Sequence, residues 1–124
     1  MARHNILGRS GEDLAALYFK EKGYEILYTN WRHLHLEIDI IARHNYKLHF
    51  IEVKTRTNKK FGEPDDGVSK KKMKNLIDAA EEFLNTEPSD LQIQFDILSI
   101  LLTKSAPAVY FYIEDVYINN VSNL

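Results

Sequence analysis

The 124-residue chain has no cysteine, three prolines, five glycines and one tryptophan. Without cysteine there is no disulfide, no thiolate metal centre and no thiol nucleophile. No apolar run approaches the ~20 residues that a membrane-spanning helix needs. The first residues, Met1-Ala2-Arg3-His4-Asn5-Ile6-Leu7-Gly8, lack the apolar core of a signal peptide. A soluble, cytoplasmic protein with no membrane contact is therefore the expectation. There is no glycine-rich phosphate loop, no Ser/His/Asp order, no internal repeat and no low-complexity linker. At this length one domain, residues 1–124, is expected. Hydrophobic residues make up 44% of the chain, enough for a real core.

Net charge is −2, which argues against a uniformly basic nucleic-acid binder. The distribution says more. Residues 1–53 carry seven basic and seven acidic side chains, residues 54–74 carry eight and three, and residues 75–124 carry one and eight. A basic block of net +5 thus sits in the middle of an otherwise acidic molecule. It comprises Lys54, Arg56, Lys59, Lys60, Lys70, Lys71, Lys72 and Lys74. Such a surface can capture a polyanion where the total charge cannot. The plainer reading is a solvated loop followed by the polar face of a helix.

Periodicity places the elements. Residues 10–22 read as a helix, with Ser10 and Asp13 as a capping box, Leu14, Leu17 and Tyr18 on one stripe, and Gly23 as its stop. Strands are expected over residues 24–29, 33–43 and 46–55, the last two forming a hairpin that turns near Asn45. A Gly/Pro/Asp-containing loop covers residues 58–68. A second helix spans residues 69–85, with Met73, Leu76, Ile77, Ala80, Phe83 and Leu84 at core spacing. Strands over residues 93–102 and 108–113 follow, with a short edge at 116–118. This order predicts an α/β fold, a mixed central sheet flanked by helices.

The hairpin carries the chemistry. Residues two apart on a strand face the same way, so Glu52 and Lys54 project together while Val53 points to the other face. A turn near Asn45 sets Asp39 opposite Glu52, where paired Cβ atoms are about 5 Å apart. Two carboxylates and an ammonium then meet on one patch. Mg2+ takes oxygen ligands and commonly uses one or two carboxylates together with substrate phosphate. Asp39 and Glu52 supply carboxylates, and the carbonyl of Val53 is a further candidate ligand. Glu37, on the same strand face as Asp39, is a third acid or a supporting partner. Lys54 could position the attacking water or meet charge developing on the phosphate. The spacing alone is common by chance. A cross-strand ion pair, Glu52–Lys54 or Asp39–Lys54, explains the same residues without any ligand.

Other residues suggest less. His33 and His35 share a strand face and could chelate, but no third ligand is evident. His44 falls in the hairpin turn and is expected in solvent. Tyr28 and Trp31 read as core anchors. Tyr110, Phe111, Tyr112 and Tyr117 form an aromatic C-terminal edge, which closes the core or covers a sheet edge in a dimer.

A set of segments then stands out in order: Gly11-Glu12 with Ala15-Ala16; Gly23-Tyr24; Asn30 with Arg32; Glu37-Ile38-Asp39-Ile40-Ile41-Ala42; Phe50-Ile51-Glu52-Val53-Lys54-Thr55-Arg56; Phe61-Gly62-Glu63-Pro64; and Phe95-Asp96. Together they resemble the YraN family of uncharacterised, endonuclease-like bacterial proteins, over about residues 8–102. That family is similar to the restriction-endonuclease-like superfold, closest in layout to archaeal Holliday-junction resolvases. The resemblance implies a Mg2+- or Mn2+-dependent DNA endonuclease acting on branched or junction DNA, with Asp39, Glu52 and Lys54 at its centre. It implies Glu12 as an additional acid; read alone, Glu12 is an ordinary acid near a helix N-terminus. Arg56, Lys59, Lys60, Lys70 and Lys71 would hold phosphates. Junction-cutting relatives work as dimers, so a homodimer is expected by analogy. Two positions depart from the family pattern: Leu36 replaces the usual glycine before Glu37, and Gln94 replaces the usual arginine before Phe95. The alternative is a module on the same fold that binds nucleic acid or protein without cutting.

Overall fold

A computed structural model describes residues 3–57 and 70–116, with side chains from residue 11 onward. Helix α1 (Arg3–Glu21) leads into three antiparallel strands, β1 (Glu25–His33), β2 (Leu36–His44) and β3 (Lys47–Arg56). Helix α2 (Lys70–Thr86) then crosses to β4 (Gln92–Leu101), parallel to β3, and β5 (Val109–Ile113) returns antiparallel at the edge. The five strands lie in one sheet in chain order. This is the mixed α/β arrangement expected from the sequence, and it is consistent with a restriction-endonuclease-like layout. No helix among the described residues is long and apolar enough to cross a membrane.

Two cores cover the two faces. Beneath α2, Leu76, Ala79, Ala80 and Phe83 pack on Leu36, Ile38, Ile41, Leu48 and Phe50. Beneath α1, Ala15 and Phe19 pack on Ile40, Ala42, Ile51, Leu98 and Ile100. Strand β4 is buried over most of its length, as a strand with parallel pairing and helices on both faces must be. Leu17, expected on the buried stripe of α1, is instead 51% exposed. Leu14 and Tyr18 flank the contact that Ala15 and Phe19 make.

Helix ends follow from local chemistry. α1 starts at Arg3, well before the expected residue 10, so Ser10 lies inside the helix and not at its N-terminus. Its C-terminus is a Schellman motif: Tyr24 N–H donates to Phe19 C=O and Gly23 N–H to Lys20 C=O. Gly23 has φ +89°, which glycine adopts without steric cost. The accompanying apolar contact is Tyr24 on Phe19, with ring centroids 5.0 Å apart. This cap fixes the exit direction of Lys22 and Tyr24.

Turns account for the main boundary corrections. The β2–β3 loop is two residues, Asn45 and Tyr46, with φ of 50° and 63°. Both values are positive, as in a type I′ turn. The β1–β2 loop is Leu34 and His35, with Leu34 at φ 56°. A turn therefore lies inside the stretch expected to begin the second strand. His33 ends β1 and faces Glu82 at 3.5 Å, while His35 lies in the turn, so the two do not form a chelating pair. No glycine, proline or asparagine marks Leu34 as a turn residue, which is why the pattern hid it. The loop expected over residues 58–68 lies outside the described residues, as do Tyr117 and Ile118 of the short strand expected at 116–118; its first residue, Val116, is helical instead and packs with Met73 and Ile97.

One close approach seats α1 on the sheet. A Cβ at Gly11 would overlap Thr55 Oγ1 and come within 3.2 Å of Thr55 Cγ2. Alanine gains up to about 1 kcal/mol in helix propensity over glycine. Overpacking against a β-branched side chain costs about 1–3 kcal/mol. We expect Gly11→Ala to lose about 1–2 kcal/mol net in urea unfolding, and Thr55→Ala in the same chain to recover most of it. A neutral Gly11→Ala would show that this helix–strand contact is loose.

Candidate active site

The β2–β3 ladder runs from the turn to the pair Ile40–Ile51 and ends there. One step further, Asp39 falls opposite Glu52, as the hairpin register predicts. The strands no longer pair by backbone at this level. Instead the Asp39 carboxylate reaches across, and Val53 N–H donates to Oδ2 at 2.7 Å. A residue in an antiparallel ladder presents its N–H and C=O to the same neighbour. The Val53 carbonyl is thus on the Asp39 side of β3.

An irregularity in the sheet prepares this opening. Asn30 has φ 53° in the middle of β1, between the pairs Thr29–Ile40 and Trp31–Ile38. It is therefore level with Asp39. On β2, Ile38 and Ile41 both join the core beneath α2, whereas Ile40 joins the core beneath α1. Strict alternation breaks at Asp39. Local breaks of this kind re-aim a side chain, and asparagine accepts the left-handed conformation better than most residues.

Glu37, Asp39, Glu52, Val53 and Lys54 line one open cleft of about 220 Å3 with Lys72 and Leu76 of α2. The two acids and the lysine are thus brought together. Glu52 and Lys54 face α2, while Val53 packs beside the α1 core on the opposite face. Glu37 lines the cleft and pairs with Arg32 at 3.3 Å. Glu12 does not line it, but its charge reaches Asp39. Burial pushes the Asp39 carboxyl up to about 6, against the pull of the Val53 N–H, and the negative charges of Glu37, Glu52 and Glu12 add to the rise. A bound cation would offset these negative charges.

The donors are all oxygens, as a hard divalent ion requires. Among the described residues no three His, Asp or Glu side chains close into a cage that would hold a metal unaided. Two carboxylates and one main-chain carbonyl suit an ion that keeps waters and shares ligands with a phosphate, and do not suit a closed structural zinc site.

The cations stand at different places relative to the cleft. Lys70 and Lys71 are exposed at the start of α2 and do not line the cleft. Lys72 does, with Nζ 3.9 Å from Glu52 Oε2. Lys72 and Leu76 are four apart and share a helix face, so the apolar stripe that marks Leu76 also aims Lys72 at the sheet. That was the available signal. Arg56 is the last residue of β3 and half-buried. Lys59 and Lys60 lie outside the described residues.

Most of the chain is similar to known proteins. The profile of the uncharacterised protein family UPF0102 matches residues 11–100. A UPF0102 protein of Phocaeicola vulgatus is 39% identical over 117 residues, covering 94% of this chain and 96% of its own. One from Flavobacterium psychrophilum is 45% identical over 100 residues, covering 81% and 84%. One from Chloroherpeton thalassium is 38% identical over 118 residues, covering 89% and 92%.

The raised Asp39 value has a consequence for stability. An acid whose pKa is higher folded than unfolded binds its proton more tightly in the folded state. The resulting stability is fully present below about pH 4 and is lost as pH rises through about 6. Asp39→Asn keeps an acceptor for Val53 N–H and removes the charge. Allowing for solvent screening in an open cleft, we expect it to raise stability at pH 8 by on the order of 1–2 kcal/mol and to leave it unchanged near pH 4. Urea midpoints at the two pH values measure this. Equal effects at both would show that Asp39 titrates ordinarily.

Proposed function

The chain belongs to the uncharacterised protein family UPF0102, and on that premise we propose that it is a metal-dependent DNA endonuclease. It would hydrolyse phosphodiester bonds with Mg2+ or Mn2+, on branched or junction DNA. The observation that carries this reading is the meeting of Asp39, Glu52 and Lys54 in one solvent-open cleft, at the level where the β2–β3 ladder stops.

When bound, the divalent ion supplies an activated water and stabilises negative charge on the phosphate oxygens. Asp39 and Glu52 would hold it with their carboxylates, and the Val53 carbonyl would complete the protein's share. The Val53 N–H on Oδ2 restrains the Asp39 side chain and leaves Oδ1 for the cleft. Lys54 orients the attacking water or meets the charge that builds on the phosphate. Glu37 supports the acids from the cleft wall and is itself held by Arg32. Glu12 adds negative potential that favours the cation. Lys72 fits the phosphate next to the one cut, since its ammonium already reaches into the cleft. Arg56, Lys59, Lys60, Lys70 and Lys71 extend a basic track for the DNA backbone away from the cleft.

A panel of junction, flapped, single-stranded and duplex DNAs, each with and without Mg2+ or Mn2+, tests the reading. We expect metal-dependent cleavage that falls by about 100-fold or more in Asp39→Ala, Glu52→Ala and Lys54→Ala. Lys72→Ala should weaken DNA binding and its salt dependence more than the rate of cutting by bound enzyme. Cleavage unchanged in the Asp39 and Lys54 variants would point to a contaminant. Salt-sensitive DNA binding with no turnover in any divalent metal would make the chain a binding module.

A further inference from the structure

A second and larger cavity, about 400 Å3, opens at the other end of β3. It is lined by Lys22, Tyr24, His44, Lys47, His49, Gln94 and Glu114, among others. His49 precedes Glu52 by three residues, on the order of 10 Å along the strand, and faces the opposite side of the sheet. Nothing in the endonuclease reading uses this cavity, and it stands whether or not that reading holds.

Its floor is an unusually complete hydrogen-bond knot. Asp96 is fully buried on β4. Its Oδ1 accepts from Gln94 Nε2 and from Asp115 N–H, both at 2.9 Å. Its Oδ2 meets Tyr112 O–H at 2.6 Å and His49 Nδ1 at 2.7 Å. Four donors fill the four lone-pair sites of a carboxylate. Asp96 has nothing left to give, so Nδ1 of His49 carries the hydrogen between them. Tyr112 spends its only hydrogen on Asp96 and accepts from the Tyr24 hydroxyl at 3.2 Å. Burial and Asp96 both push the Tyr112 hydroxyl upward, so it stays a donor.

His49 is only 2% exposed, and its one hydrogen-bond partner among the described residues is Asp96, on Nδ1. Every fully sealed side-chain nitrogen and oxygen among the described residues has a partner. Nε2 is therefore not sealed; it faces the cavity. A buried imidazole locked in one tautomer, with its other nitrogen presented to a pocket, is built to meet a ligand. The cap of α1 and the β2–β3 turn bring two ammonium groups to the same place. Lys47 gives one hydrogen bond to Gln94 Oε1 at 3.2 Å, leaving two donors. Lys22 lies over the Tyr18 ring at 4.9 Å. Neither lysine has a carboxylate partner among the described residues. Tyr24 and His44 also line the cavity and stack on each other, with ring centroids 4.0 Å apart. Glu114 offers a carboxylate on the far side, reached by Gln94 Nε2 at 3.3 Å.

We propose that this cavity binds a nucleoside monophosphate, either free or as the 5′-terminal nucleotide of a DNA strand. The phosphate lies between the ammonium groups of Lys22 and Lys47, and His49 Nε2, which carries no hydrogen in this tautomer, accepts from a phosphate hydroxyl. The base lies along the Tyr24–His44 wall, and an exocyclic amine or sugar hydroxyl meets Glu114. The volume falls within the roughly 300–1,000 Å3 usual for small-ligand pockets.

The test uses the full chain in EDTA, so that metal chemistry at the Asp39 cleft plays no part. The probes are inorganic phosphate, 2′-deoxyadenosine 5′-monophosphate, and one short DNA strand with either a 5′-phosphate or a 5′-hydroxyl. Binding is followed by calorimetry and by the imidazole nitrogen resonances of the five histidines. We expect saturable nucleotide binding that moves the His49 Nε2 signal and leaves His33 and His35 in place. Lys22→Ala and Lys47→Ala, both at accessible positions, should each weaken it about tenfold. Binding of the 5′-phosphorylated strand without the free nucleotide assigns the site to DNA ends; binding of the free nucleotide assigns it to small molecules. His49→Gln could disturb the buried knot, so the lysine variants decide. No saturation by nucleotide or by either strand below roughly 10 mM overturns the proposal. So does nucleotide binding that is unchanged in both folded lysine variants.

Discussion

The hydrogen bond from Val53 N–H to Asp39 Oδ2 is the contact on which the candidate active site depends. It replaces a rung of the sheet. Backbone donors inside a fold must be satisfied, and here a side chain satisfies one after the β2–β3 ladder has ended. The exchange opens a gap between two strands without leaving an orphan donor. It also fixes a carboxylate within the field of three other acids, where burial and repulsion both raise its pKa. An arrangement of this kind works against the stability of the empty protein. Sites that violate the local rules of folding are where ligands are expected, because the ligand relieves what the fold alone cannot.

The two ends of β3 are used differently, and the parallel pairing with β4 explains why. At the start of the pair, His49 and Asp96 join across the strands in a buried knot that also ties Tyr112 of β5 and the turn at Asp115. Both Asp96 oxygens are filled there, which ties β3, β4 and β5 together. At the far end, Glu52 and Lys54 emerge toward α2, where the wall is a single helix turn carrying Lys72 and Leu76. A stiff strand anchored at one end and open at the other holds chemistry in place without burying it. The glycine contact between α1 and Thr55 clamps the same strand from the opposite face.

Much of this was legible in the chain. The alternation in Glu52-Val53-Lys54 assigned each side chain to its face, and the Asn45 turn set Asp39 against Glu52, because a two-residue loop leaves a hairpin no other register. The stop at Gly23 was readable because few other residues take φ +89° without strain. The turn at Leu34 was not legible, since leucine carries no preference for the left-handed conformation that it adopts there. His44 looked like a turn residue bound for solvent, yet it is half-buried, stacked on Tyr24. That contact joins residues twenty apart and has no local signature. The knot around Asp96 escaped notice for the same reason: its donors come from three separate stretches of chain.

Sequence alone determined the element types, the mixed α/β order, the family likeness and the pairing of two acids with a lysine on one hairpin. These rest on periodicity and turn chemistry, which act over a few residues. Only the tertiary structure decided that Lys72 and not Lys70 or Lys71 reaches the acids, that Asp39 is held by a backbone N–H and titrates near 6, and that His49 looks into a second cavity. Each of those depends on where a helix docks or a strand breaks register. Docking and register breaks are settled by packing between distant segments, which no local pattern encodes.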